Sequence, residues 1–202
     1  MKIEKGEFVA IMGPSGSGKS TLLHLAGALD LPSSGRVLVD GKSTAEISDS
    51  ERTLLRRRKL GFVFQFFNLL PTLTVEENVG LPLLLDGERI SNLRGRVGKL
   101  LDRVGLGGRA AHLPDELSGG EMQRAAVARA LVTDPTIVLG DEPTGNLDSA
   151  TGTSIMDLVR SVAKENGKTV VIVTHDSKIA EYADRLVCLR DGRLDAGNAA
   201  AF

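Results

Sequence analysis

One stretch limits the possible folds of this chain more than any other: Gly13-Pro14-Ser15-Gly16-Ser17-Gly18-Lys19-Ser20, set between a short apolar run and a helix-forming segment. Its glycines let the backbone curl until successive N–H groups point inward, and a helix leaving the loop adds the positive end of its dipole. That geometry requires a strand entering the loop and a helix leaving it. Phe8–Met12 reads as the strand, and Lys19 to about Ala28 as the helix. A loop of this kind cradles phosphates. Lys19 is expected to reach the β- and γ-phosphates, and the Ser20 hydroxyl to ligate Mg²⁺, with Thr21 beside them in the nucleotide-binding set.

The remaining pattern supplies the sheet such a loop needs. Gly61–Gln65, Thr136–Gly140, Thr169–Val173 and Arg185–Leu189 read as strands. Ser48 and Glu51 have capping-box spacing ahead of a helix reaching about Arg58. Ser149–Glu165 carries Ile155, Leu158, Val159 and Val162 at helical spacing, with Gly167 as a stop. Asp40-Gly41 marks an exposed hairpin. Apolar strands alternating with amphipathic helices predict an α/β fold, a parallel sheet covered on both faces. From Phe66 to Leu117 helical patterns around Val75–Leu85 and Leu93–Val104 predict a helical insert. The expected division is a catalytic core of residues 1–65 and 118–202 with a helical subdomain at 66–117. The small-residue tail Ala196–Phe202 reads as frayed.

A phosphate-binding loop that does chemistry needs an acid at the end of a neighbouring strand. Thr136-Ile137-Val138-Leu139-Gly140-Asp141-Glu142 provides two. Asp141 is placed to hold the Mg²⁺ shell, and Glu142 to polarise a water aimed at the γ-phosphate. Leu117-Ser118-Gly119-Gly120-Glu121-Met122-Gln123-Arg124 opens another helix. Ser118 with the Gly119 and Gly120 amides makes a second anion site, and a simple N-cap would not explain two adjacent glycines.

That segment resembles the signature motif of ATP-binding cassette (ABC) ATPases, with Met122 where glutamine is more frequent. The resemblance implies a P-loop NTPase core of the ABC type. It implies a nucleotide-sensing role for Gln65 toward the metal and the attacking water. It implies a dimer-crossing loop at Gly145-Asn146-Leu147-Asp148 and a γ-phosphate contact at His175. Catalysis is then expected from Glu142, His175 and Gln65. Nucleotide contacts are expected from Gly13–Thr21 and, across a dimer, from Ser118, Gly119, Gly120, Glu121 and Asp148. Metal contacts are expected from Ser20, Gln65 and Asp141. Phe64–Val79 and Asp141–Ser149 are most similar to the ATPases of lipoprotein-release and macrolide-export systems. The family implies ATP, Mg²⁺, a homodimer sandwiching two ATPs, and a membrane permease. The chain would sit in the cytoplasm, peripheral on the inner face of the membrane. Phe66, Phe67, Leu69 and Leu70 are the expected groove for a permease helix.

The family also has strands ahead of Phe8 that carry an adenine-stacking aromatic, which this chain starts too late to contain. Two expectations follow: weak ATP binding with poor discrimination against GTP, and an unpaired sheet edge at Ile3–Val9. Tyr182, the only tyrosine, falls in a predicted helix far downstream.

Bulk properties narrow the alternatives. A net charge of -1 and 3% aromatics with no Trp leave no basic field and few stacking platforms, so no nucleic-acid partner is expected. The dense run Arg56-Arg57-Arg58-Lys59 reads as a solvated helix end. No apolar stretch approaches a bilayer span of roughly 20 residues. The one cysteine, Cys188, lies in an apolar run and reads as a buried, inert thiol. A soluble ABC ATPase of repair or translation would bring coiled coils, Cys clusters or a second cassette. A truncated cassette with weak activity stays open, whereas a small-molecule kinase leaves Leu117–Gln123 unexplained.

Overall fold

The entering strand is the centre of the sheet. In the computed structural model, which describes residues 1–195, Phe8–Met12 forms β1 with four of its five residues buried. The tail expected to fray, 196–202, lies outside the described residues. The other sheet strands are β4 (Leu60–Phe64), β5 (Ile137–Asp141), β6 (Thr169–Thr174), β7 (Arg185–Arg190) and β8 (Arg193–Leu194). Their order is β4-β5-β6-β1-β7-β8, parallel except where β8 turns back on β7. The small hairpin of β2 (Leu38–Val39) and β3 (Lys42–Ser43) stands apart.

The expected unpaired edge at Ile3–Val9 is therefore corrected. β1 is hydrogen-bonded to β6 on one side and β7 on the other. The pairing extends upstream, where the Gly6 N–H donates to Thr169 Oγ1 at 3.0 Å and Glu7 Oε1 accepts from Arg185 Nε at 2.5 Å. Parallel crossovers wind the later strands to both sides of the first, so the ends of the sheet are β4 and β8.

Side chains alternate across this sheet with period two. Phe8, Val138, Val170 and Ile172 enter one core with Ile155, Met156 and Val159 of α6 (Ser149–Asn166). Val9, Ile11, Leu139, Val171 and Val173 face the other side with Leu23 of α1 (Lys19–Ala26). A third core joins α3 (Val75–Leu85), α4 (Ile90–Arg103) and α5 (Gly119–Leu131) through residues such as Val79, Val97, Leu101 and Ala125. α5 belongs to both layers. Ala125 and Ala128 face α3 and α4, and Val127 and Ala130 face the sheet core. Met122 packs against the helical core, as a sulfur side chain can.

Capping boxes start three helices: Ser48/Glu51 for α2 (Asp49–Lys59), Thr74/Glu77 for α3 and Ser118/Glu121 for α5. Asp148 caps α6, and Gly167 at φ 57° ends it. The short α7 (Ser177–Ala180) follows β6.

Three local expectations change. The basic run is not a free helix end. Arg56 donates to Ala28 O at 2.8 Å, and Arg57 and Arg58 pair with Asp86, so the run ties α2 to the ends of α1 and α3. Cys188 is only half-buried, because β7 has just the two-residue β8 on its outer side. Tyr182 lies in a turn after α7, its ring on the core and its hydroxyl 3.1 Å from Asp157 Oδ1.

Candidate functional site

The carboxyl ends of four adjacent strands, β4, β5, β6 and β1, carry the expected residues. Gln65 follows β4, Asp141 ends β5 with Glu142 next, His175 comes just after β6, and Gly13–Ser20 follows β1. This is where open α/β sheets place ligand sites.

The loop after β1 is shaped by close approach. A Cβ on Gly13 would lie 2.1 Å from Leu189 O, so a side chain there would push the loop off β7. Gly18, at φ 96°, caps α1 without any side-chain bond. Lys19 is 9% exposed, and its Nζ donates to Gly13 O at 2.9 Å and Pro14 O at 3.1 Å, which folds the ammonium into the curl of the loop. Ser15, Gly16, Ser20 and Thr21 are exposed at its mouth.

Ser20 Oγ donates to Asp141 Oδ1 at 3.0 Å, joining the loop to the end of β5. Beside them His175 Nδ1 lies 2.8 Å from Glu142 Oε1, with Glu142 largely covered and His175 exposed. Gln65 is linked to the turn after β5 by two bonds to Asn146, at 3.2 and 3.0 Å. The loop, Ser20, Asp141, Glu142, His175 and Gln65 thus form one connected corner.

The signature residues form a second corner. Ser118, Gly119, Gly120 and Glu121 line an open cleft of about 560 Å³ with Arg124, Asn146, Asp148 and Thr151. No residue of the phosphate loop lines it. Gly120 lets α5 lie close to α6: a Cβ there would lie 2.6 Å from the Thr151 methyl carbon and would have to displace it. Glu121 Oε2 accepts from Ser118 N and Oγ, both at 2.9 Å. The Ser118 backbone bond comes first among the causes that hold the Glu121 carboxyl below its ordinary range. Asp148 is likewise lowered by its bonds to Thr151 and Ala150.

Sequence reasoning passed over three residues here. Gln123 is wholly buried on α5, where an amide among Ala and Val was the available signal. Arg129 donates to Phe67 O at 2.8 Å and also to Asn68 O, and burial lowers its pKa. His24 Nε2 stands 3.9 Å from Asp141 Oδ2. Helical spacing alone marks neither of the last two.

A strand–loop–helix phosphate cradle with two acids at the end of β5, one strand beyond the neighbouring β6, defines a P-loop ATPase. The family model described as "ABC transporter" matches residues 1–145. The lipoprotein-releasing system ATP-binding protein LolD of Xanthomonas campestris pv. campestris is 52% identical over 96% of this chain and 81% of its own length. An uncharacterized ABC transporter ATP-binding protein of Methanocaldococcus jannaschii is 50% identical over 96% of this chain and 86% of its own. The cassette MJ0796, solved as a dimer, superposes with a TM-score of 0.91 at 47% identity, covering 100% of this chain and 89% of that one. A second structure of it, a post-hydrolysis dimer with ADP and Pi, gives 0.90 at 46% identity and the same coverage. The chain belongs to the ABC transporter family and is an ATP-binding ATPase subunit of it.

Proposed function

We propose that two copies of this chain close on two ATPs and open after hydrolysis, driving a membrane permease of the lipoprotein-release type. The carrying observation is the separation of the two anion sites: no residue of the phosphate loop lines the signature cleft. One chain therefore offers half of two sites, and a second copy supplies the other halves. The dimeric cassette MJ0796 and the LolD relatives support this reading.

Within one site Lys19 leaves the loop carbonyls for the β- and γ-phosphates, and the loop amides take the remaining oxygens. A hydroxyl and one carboxylate, from Ser20 and Asp141, suit Mg²⁺, which takes few protein oxygens and completes its shell with phosphate and water. Gln65 is the further candidate ligand. When bound, Mg²⁺ supplies charge neutralisation at the phosphate oxygens. Glu142 accepts the proton of the attacking water, and His175, which is bonded to it, orients the carboxylate and meets the γ-phosphate. Ser118, Gly119, Gly120, Glu121 and Asp148 approach the nucleotide held by the other copy.

Exposure supports a permease surface beside Gln65. Phe66 is 73% and Leu70 44% exposed, whereas Leu69 packs into the helical core. The expected four-residue groove reduces to a surface led by Phe66, next to Gln65. Docking there places the chain on the inner face of the cell membrane. Among the described residues no helix is long and apolar enough to cross one.

Glu142→Gln tests the site. It should keep ATP binding, trap an ATP-dependent dimer on gel filtration, and lose roughly 10²–10⁴-fold in turnover. Parent-rate hydrolysis would remove Glu142 from the role.

A further inference from the structure

Glu142 stands on a strained backbone. Its φ is 46°, in the left-handed region that side chains rarely adopt. Pro143 follows, and a proline pushes the residue before it toward extended conformations. Such a conformation persists only where its surroundings over-determine it. Glu142 N donates to Val173 O at 3.0 Å, fixing the residue to the end of β6, and Gly145 N donates to Glu142 O at 3.0 Å, closing the turn. The third bond comes from the signature helix: Gln123 Nε2 donates to Pro143 O at 2.5 Å. The same nitrogen lies 3.5 Å from Phe64 O, immediately before Gln65.

Gln123 is 0% exposed, and among the described residues its Oε1 has no partner. An amide sealed from water with its acceptor unmet is destabilising where an apolar side chain of similar length would not be. What the amide supplies is the donor to Pro143. Farther along α5, Arg129 props the backbone at Phe67 and Asn68, which also have positive φ, 61° and 51°. One helix thus braces the strained turns after both β4 and β5.

We propose that Gln123 is a positioning residue for Glu142. The signature helix sets the carboxylate through the Pro143 carbonyl. Engagement of the Ser118–Gly120 end of α5 is thereby transmitted to the hydrolytic acid of the same chain. In a two-copy sandwich these two ends serve different nucleotides, so the bond carries the state of one site to the other. The inference rests on Glu142 being the hydrolytic carboxylate, and the experiment separates the two.

Gln123→Met keeps the length of the side chain and removes the donor; Gln123→Leu is a second donor-less variant should the first fail to fold. In the full chain kcat should fall on the order of ten- to a hundredfold, the effect of a small misplacement of a catalytic group. KM for ATP should stay within about twofold, as for an interaction felt only in the transition state. Amide exchange should quicken across Glu142–Leu147 and stay unchanged elsewhere. Turnover within about twofold of the parent overturns the proposal, as does a KM that rises in step with the loss. Exchange that quickens throughout the chain also overturns it, since Gln123 would then be general packing. Glu142→Gln is measured alongside. If Glu142→Gln is inactive and Gln123→Met unimpaired, the Gln123 inference alone fails. If Glu142→Gln turns over normally, the site reading fails first.

Discussion

Two helices in this molecule begin at expected anion sites, and their N-termini are prepared differently. α1 starts after Gly18 with no side-chain cap and no acidic residue in its first turn. α5 starts with a complete capping box, Ser118 and Glu121 bonding each other's backbone. Every helix N-terminus leaves N–H groups without intrahelical partners. At α1 no side chain among the described residues caps them, and Lys19 adds a cation. At α5 the chain answers part of that demand itself and adds a carboxylate. An anion reaching α1 meets an open dipole, while one reaching α5 must compete with Glu121 for the Ser118 hydroxyl. On the proposed two-copy sandwich the difference predicts an order of events: nucleotide settles first on the phosphate loop of one chain, and only a nucleotide held there engages the signature end of another.

The largest way to break this contrast is at α1. Lys19→Ala removes the cation without touching α5. ATP affinity of the monomer should fall about ten- to a hundredfold, the equivalent of one charged hydrogen bond. Titration calorimetry on the monomer measures it. Ser118→Arg should act on the other term of the comparison. Monomer affinity should stay within about twofold, while ATP-dependent dimerisation of a Glu142→Gln background is lost, because on the proposed sandwich the arginine fills the space of the phosphate held by the other copy. Equal loss of monomer binding in both variants would mean that one chain uses both corners for the same nucleotide.

The two corners were also unequally readable before the fold was known. The phosphate loop, Asp141, Glu142 and Gln65 each stand at the end of an apolar run, so strand periodicity places them at one edge of one sheet. The central position of β1 was not readable, because apolar runs do not state their lateral order; the expected edge at Ile3–Val9 rested on the family's strands ahead of Phe8, and β6 and β7 flank β1 without them. The signature end was readable as a helix start. Its bracing of the turns after β4 and β5 was not, since the bonds of Gln123 and Arg129 go to backbone carbonyls at 143, 67 and 68, and a carbonyl leaves no mark in a sequence. For the same reason the arginines of α2 read as solvated when Arg56 in fact reaches Ala28 O.

The smallest effect concerns the carboxylate at α5. Glu121 accepts two bonds from Ser118 and pairs with Arg109 Nε at 3.1 Å, and these hold its pKa below the ordinary range. A folded-state pKa below the unfolded one stabilises the fold above the unfolded carboxylate range, and that stability is lost as pH falls through the folded value. Glu121→Gln imitates the protonated state. At about pH 7 it should cost at most about 1 kcal/mol, the scale of a helix cap, read as a modest drop in Tm. The drop should shrink as pH falls below the usual Glu range and the parent protonates. α1 carries no acid in its first turn, so amide exchange there should show no matching change over the same interval. A Tm difference that holds constant with pH would mean that the cap works through shape alone. The contrast between an open and a charge-occupied helix end would then lose its electrostatic half.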